Sequence, residues 1–145
     1  MSNLKLMQFG PFPIRMMLGI TFLAHRLPSY SDFGRVMGFV GSLGLPPEMA
    51  YVVAALETGG SIAIMSGILT RITAGLFIIF MASTTLVVKL SRGFVGGFEV
   101  DLLLLAIATS LLITGPGRIS IEWDVLKREL VPKGKSLVPL TAPNA

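Results

Sequence analysis

Glu57 sits in a stretch, residues 49–70, that is otherwise free of charge. Ionisable groups at membrane depth are costly, face the interior of a bundle and mark functional sites by default. Such a carboxylate can handle a proton or touch a ligand, or it can be a structural partner for an arginine of a neighbouring helix. His25 is the single histidine. With an unperturbed pKa near 6.5, it suits a proton relay beside a quinone, and equally an interfacial hydrogen bond. Glu57 and His25 are therefore the candidate catalytic residues. Arg26, Lys89 and Arg92, with Glu99 and Asp101, fall at the same level as the near end of the Glu57 segment. Together they could hold an anionic or quinone substrate in a mixed-charge vestibule. Glu99 and Asp101 have a second reading, as first-turn acids that complement a helix dipole. Arg15 and Arg71 are candidates for structural ion pairs or snorkelling anchors.

The chemistry that is absent narrows the field. The chain has no cysteine. Disulfides, thiolate zinc, iron–sulfur clusters and covalently attached haem are thus outside its own means. With one histidine, no multi-histidine haem or metal site is expected either. Eight methionines and nine phenylalanines read as packing.

These residues must be positioned by an apolar scaffold. Of 145 residues, 52% are hydrophobic and 14% charged, with a mean hydropathy of +0.77. A soluble domain carries about 25% charged residues. So few charges would leave large apolar patches open to water. The fold class is therefore all-α, a four-helix transmembrane bundle. Charge-free runs place the spans at about 11–27, 48–69, 71–90 and 98–115; residues 72–88 alone hold 17 uncharged positions. A span takes about 20 residues, with a lower range near 17.

Between the first two spans, Phe33, Val36, Met37, Val40 and Leu43 recur at helical spacing in a segment too short and polar to cross. It reads as an interfacial or re-entrant segment, with Asp32 and Arg35 in water. On the second span, Ala55, Gly59, Ala63 and Gly67 form a small-residue stripe suited to close helix packing. Glu57 points away from that stripe with Gly60, Ser61 and Ile64, so neighbours are expected on both faces. On the first span, Arg15, Gly19, Phe22 and Arg26 share a stripe, with His25, Leu18 and Thr21 turned away. Ser83, Thr84 and Thr85 are expected to bond back to helix carbonyls. Ser120 can cap a short helix over 121–130, with Asp124 and Arg128 paired at i,i+4 and Trp123 at headgroup level.

Residues 1–130 read as one membrane domain and 131–145, with three prolines, as a flexible cytoplasmic tail. No cleavable signal is recognisable at the start. The net charge of +4 does not point to nucleic acid, because the excess follows the last apolar run. An even number of spans puts both termini on one side. That side takes Lys5, Arg15, Arg71, Arg118, Lys127, Arg128, Lys133 and Lys135, and the other takes Arg26, Arg35, Lys89 and Arg92. Eight against four favours cytoplasmic termini in a multi-pass plasma-membrane protein.

With those residues placed, the chain resembles the DoxX family of small four-helix membrane proteins, which includes the DoxD-type subunit of archaeal thiosulfate:quinone oxidoreductase. The resemblance rests on an ordered set over about residues 12–124: Arg15, Gly19 and His25; Gly44-Leu45-Pro46; Glu57-Thr-Gly-Gly60; Gly67-Ile-Leu-Thr-Arg71; Gly97-Phe-Glu-Val-Asp101; and Gly115-Pro-Gly-Arg118-Ile-Ser120. One departure is local. The family commonly has Gly after the first-helix His and a Lys shortly beyond, where this chain has Arg26, Leu27 and Pro28. The resemblance implies a membrane subunit of a respiratory or sulfur-metabolising redox complex, with a membrane quinone and other subunits, or a second copy, as partners within the bilayer. The rival expectation is a non-catalytic anchor or assembly subunit, and a third is a small-molecule or lipid-binding module. A reporter fused after Ala145 is expected to be active only on the cytoplasmic side; a reporter active outside would overturn the orientation.

Overall fold

The computed structural model describes residues 7–128 and 130, except for the side chain of Arg92. The expected tail, 131–145, and Lys5 lie outside those residues. All regular structure among the described residues is helical. Helix α1 spans Pro11–Ser31, α2 Phe33–Ser42, α3 Met49–Ser66, α4 Thr70–Thr84 and α5 Glu99–Thr114. Pro11 and Pro13 open α1, where a missing N–H costs nothing. Helix α4 continues through a wide turn, Thr85–Lys89, and a tight one, Leu90–Arg92, before Phe94–Phe98 leads into α5.

Helices α1, α3, α4 and α5 pack side by side around Leu18, Phe22, Ile64, Phe77, Met81, Leu104, Ala108 and Leu111. At its centre the Phe22 and Phe77 rings stack at 4.0 Å. Among the described residues, three helices are long and apolar enough to cross a membrane: Met49–Ser66, Thr70–Lys89 and Phe94–Thr114. Their outward faces, including Ile79, Leu86, Leu103 and Ile113, are largely exposed. An apolar belt of that extent fits hydrocarbon rather than water, and the protein is a membrane protein. Helix α1 has length but two arginines, and does not meet the same measure of apolarity.

Helix α2 lies where the helical spacing placed it, with Val40 buried and Phe33, Val36 and Met37 half-buried. It folds against α1 and α3. Its N-terminus is capped by Asp32, which accepts from the Arg35 backbone N–H and also pairs with the Arg35 side chain.

Several expectations need correction. Helix α1 runs past Pro28 to Ser31 instead of stopping at 27. Leu18 is fully buried in the core and does not turn away with the exposed His25. The helix over 121–130 is a single wide turn, Ile121–Val125, capped as expected by Ser120 but with Asp124 facing Arg118 at 3.9 Å. Thr85 bonds Asp101, while Ser83 and Thr84 do bond back to carbonyls.

The small-residue stripe of α3 is closely packed at Gly67 but not over its first half. Ala55 and Gly59 are exposed, and a Cβ at Gly59 would meet nothing within 4 Å. The close approach is made instead by Gly60, where a Cβ would lie 2.8 Å from Phe77, and by Gly19 against Met65 and the Ser61 carbonyl. Phe77 is fully buried against Phe22 and cannot step aside. Overpacking of this kind costs about 1–3 kcal/mol. Gly60→Ala is therefore expected to lower the melting temperature in detergent, and Gly59→Ala to leave it unchanged; equal effects would contradict this helix orientation.

Candidate functional site

Two charged clusters occupy opposite ends of the bundle. At the first end, α1 presents Arg26 toward α3, where Glu57 waits a little over two turns into the helix. The Arg26 Nη1 lies 3.4 Å from Glu57 Oε2. Arg26 is 2% exposed and Glu57 16%. The inward face of α3 is as expected: Ser61 and Ile64 are buried and Gly60 abuts Phe77. Ser61 donates to the Glu57 carbonyl, which ties that turn of α3 together.

The other edge of Arg26 is left over. Its Nε and Nη2 are buried and find no hydrogen-bond acceptor among the described residues. Two aromatic rings stand over the guanidinium, Tyr30 at 5.2 Å and Phe33 at 5.3 Å. Cations are attracted to ring faces within about 6 Å. Tyr30 is hydrogen-bonded to Thr58, next to Glu57, and Phe33 packs on Tyr51 at 4.8 Å. Tyr30, Phe33 and Thr58 were not among the residues expected at the site. The i,i+4 spacing of Arg26 and Tyr30 was the available signal. His25 is exposed, and its Nδ1 is 2.9 Å from the Thr21 carbonyl oxygen.

Lys89 and Asp101 meet at the same end but on the α4–α5 side. Lys89 Nζ donates to Asp101 Oδ1 at 2.7 Å, and Thr85 Oγ1 donates to Oδ2 at 3.2 Å. Asp101 is 2% exposed, so both of its oxygens are committed inside the bundle. The wide turn Thr85–Lys89 is what brings both donors to one carboxylate. Glu99 instead accepts from the Gly96 backbone N–H and closes the turn before α5. The expected vestibule thus resolves into a pair, Arg26–Glu57, and a separate clamp, Lys89–Asp101–Thr85. Arg92 closes the turn Leu90–Arg92, and its side chain lies outside the described residues.

At the opposite end Arg15 is fully buried, and its terminal nitrogens donate to backbone carbonyls. Its Nη1 donates to the Ile64 carbonyl at 3.3 Å and to that of Met65 at 3.4 Å, and its Nη2 donates to the Ile119 carbonyl at 2.6 Å. The first two belong to the last turn of α3, where i+4 donors run out and Ile64 otherwise accepts only from the capping Gly67 N–H at 3.2 Å. Gly67 then turns the chain with φ +72, and any Cβ there would run into Arg15 and Ser120. Arg71 donates to the Leu112 and Ile113 carbonyls at the end of α5. Both arginines therefore work as caps on helix C-termini.

Removing one member of a buried pair leaves a charge uncompensated and costs about 3–5 kcal/mol, whereas replacing both members by apolar residues is often neutral. Glu57→Ala is expected to destabilise the protein strongly in a detergent melt, and the double change Arg26→Met with Glu57→Leu to recover most of the loss. Additive losses in the double variant would show that the pair is not coupled.

Residues 10–90 match the DoxX family. The chain is 35% identical over 123 residues to a Bacillus subtilis (strain 168) protein named "Putative oxidoreductase CatD", covering 85% of this chain and 92% of that one. It is 30% identical over 131 residues to the Escherichia coli (strain K12) protein named "Inner membrane protein YqjF", covering 81% and 93%. No solved structure matches it. On the extent of that match and of these two relatives, the chain belongs to the DoxX family.

Proposed function

We propose that this protein is an integral membrane subunit of a redox complex, and that the Arg26–Glu57 pair is where a membrane quinone is held. In this reading α1 is a fourth span, its two arginines satisfied inside the bundle, and both termini are cytoplasmic. The observation that carries the reading is the unused donor edge of Arg26, buried beside a carboxylate and under two aromatic rings. Polar groups converging in apolar surroundings are how small-molecule sites are built. The name of the Bacillus subtilis relative, an oxidoreductase, points the same way.

A quinone headgroup, when bound, supplies a two-electron, two-proton acceptor. The residues of this chain do the rest. Arg26 Nε–H and Nη2–H can donate to a ring oxygen. Glu57, already within reach of Arg26, can hold a proton beside it, and His25, exposed at the same end, can exchange protons with solvent. Tyr30 and Phe33 exclude water. With no cysteine in the chain, electrons arrive from a donor bound at this end or from a partner subunit. In the most specific form of the reading the donor is thiosulfate, as the DoxD-type resemblance implies.

A second reading has its own observation. The exposed Ala55 and Gly59 on the outward face of α3 leave room for a helix of another chain, as an anchor subunit would require. The two separate by assay. The purified protein, alone and with co-purifying subunits, is given decyl-ubiquinone and thiosulfate. Quinone reduction that falls at least tenfold in Glu57→Gln, with the melting temperature kept, supports the redox site. Full activity in that variant removes Glu57 from the reaction, and absence of any reduction in either preparation leaves the anchor.

A further inference from the structure

We propose that the Nε–Nη2 edge of Arg26 is a binding site for the carboxylate group of a small organic acid, a ligand class beyond the redox reading that would occupy the same two donors in place of a quinone. The guanidinium is a planar fork. Its Nε–H and Nη2–H lie parallel on one edge and match the two oxygens of a carboxylate, while Nη1 projects from the other side. In this protein Glu57 takes Nη1 at 3.4 Å. The edge made for bidentate pairing is the one with no acceptor among the described residues. A buried charged donor without its hydrogen bond costs more than a neutral one. An edge with two such donors, on a side chain only 2% exposed, is a standing demand for a two-oxygen acceptor.

Charge selects among such acceptors. Arg26 carries one positive charge and Glu57 already lies against it. A monoanion adds one negative charge, which a single proton taken up on Glu57 offsets, whereas a dianion leaves one uncompensated at a depth where each is expensive. A monocarboxylate is therefore favoured over thiosulfate, sulfate or phosphate dianions. The surroundings set the rest of the ligand: the Tyr30 and Phe33 rings offer apolar faces to an aromatic or short aliphatic body.

Entry requires the cover to move, because Nε and Nη2 are closed off from solvent. Tyr30 is suited to that. It is half-exposed and held by its hydroxyl to Thr58, and it follows Pro28, which removes one hydrogen bond from the α1 ladder. Asp32, two residues on, breaks the helix with φ −141 and ψ 68.

The test is isothermal titration of the full chain in lipid nanodiscs with benzoate, hexanoate and thiosulfate. Saturable one-site binding of benzoate or hexanoate is expected, at least tenfold tighter than thiosulfate. The two acids distinguish an aromatic from an aliphatic body. Arg26→Lys keeps the charge opposite Glu57 and removes the fork, and is expected to weaken binding at least tenfold. Binding of neither acid, thiosulfate bound as tightly, or an unchanged affinity in Arg26→Lys overturns the proposal. Should that variant not fold, photolabelling of the unaltered protein with 4-benzoylbenzoate decides: label on Tyr30, Phe33 or Thr58 that excess benzoate suppresses supports the site, and label elsewhere overturns it. Acid binding without quinone reduction would sink the redox reading and leave this one standing; quinone reduction without acid binding would do the reverse.

Discussion

A guanidinium cannot be left in an apolar interior without acceptors, and this chain buries two of them on one helix. Arg15 and Arg26 stand eleven residues apart on α1, about 16 Å along its axis at 1.5 Å per residue. Each solves its problem differently, and the solutions shape both ends of the bundle. At one end Arg15 draws together the capped C-terminal turn of α3 and the loop after α5. At the other Arg26 faces a carboxylate on α3 and is roofed by the last residues of α1 and the first of α2. Between them lies the purely apolar layer of Phe22, Ile64, Phe77 and Leu111. The helix that looks least like a membrane span is thus the one whose side chains tie together both ends of the bundle.

The two ends also differ in how completely they are satisfied. Asp101 accepts from Lys89 and Thr85, and Arg15 donates from both terminal nitrogens. Those contacts commit both Asp101 oxygens and both terminal nitrogens of Arg15, whose Nε is left as a single buried donor without an acceptor among the described residues. At Arg26 one nitrogen is engaged with Glu57 while two remain without acceptors among the described residues. Native interiors satisfy nearly all their buried polar groups, so a leftover pair needs an explanation. The functional reading is placed there for that reason, and not on the larger number of charges nearby.

Much of the fold was legible in the sequence because charge is so scarce. The uncharged runs mark α3, α4 and α5 closely, and the spacing of Phe33, Val36, Met37 and Val40 marks α2. Glu57 was recognisable as an inward residue from its neighbours Gly60, Ser61 and Ile64. The aromatic cover was not, since Pro28 argued for ending α1 at 27 and left Tyr30 in a loop. A single missing N–H is tolerated when neighbouring helices pack against the kink. The outward stripe of Ala55 and Gly59 misled for a different reason. Periodicity shows which residues share a face, but not whether another helix lies against it. Asp101 had two sequence readings, helix-dipole acid or vestibule residue, and its partner Lys89 arrives only through the wide turn at the end of α4.

The bond between Arg15 and the Ile119 carbonyl joins residues 104 positions apart. A ribosome adds about 5–20 residues per second. Roughly 5–20 s therefore separate the synthesis of the first helix from that of its last acceptor. Throughout that interval the first helix carries a cation whose full set of partners does not yet exist. Its seat against the other helices must then be provisional until the chain beyond the final helix emerges. Assembly of this small bundle is closed from its end and not from its beginning.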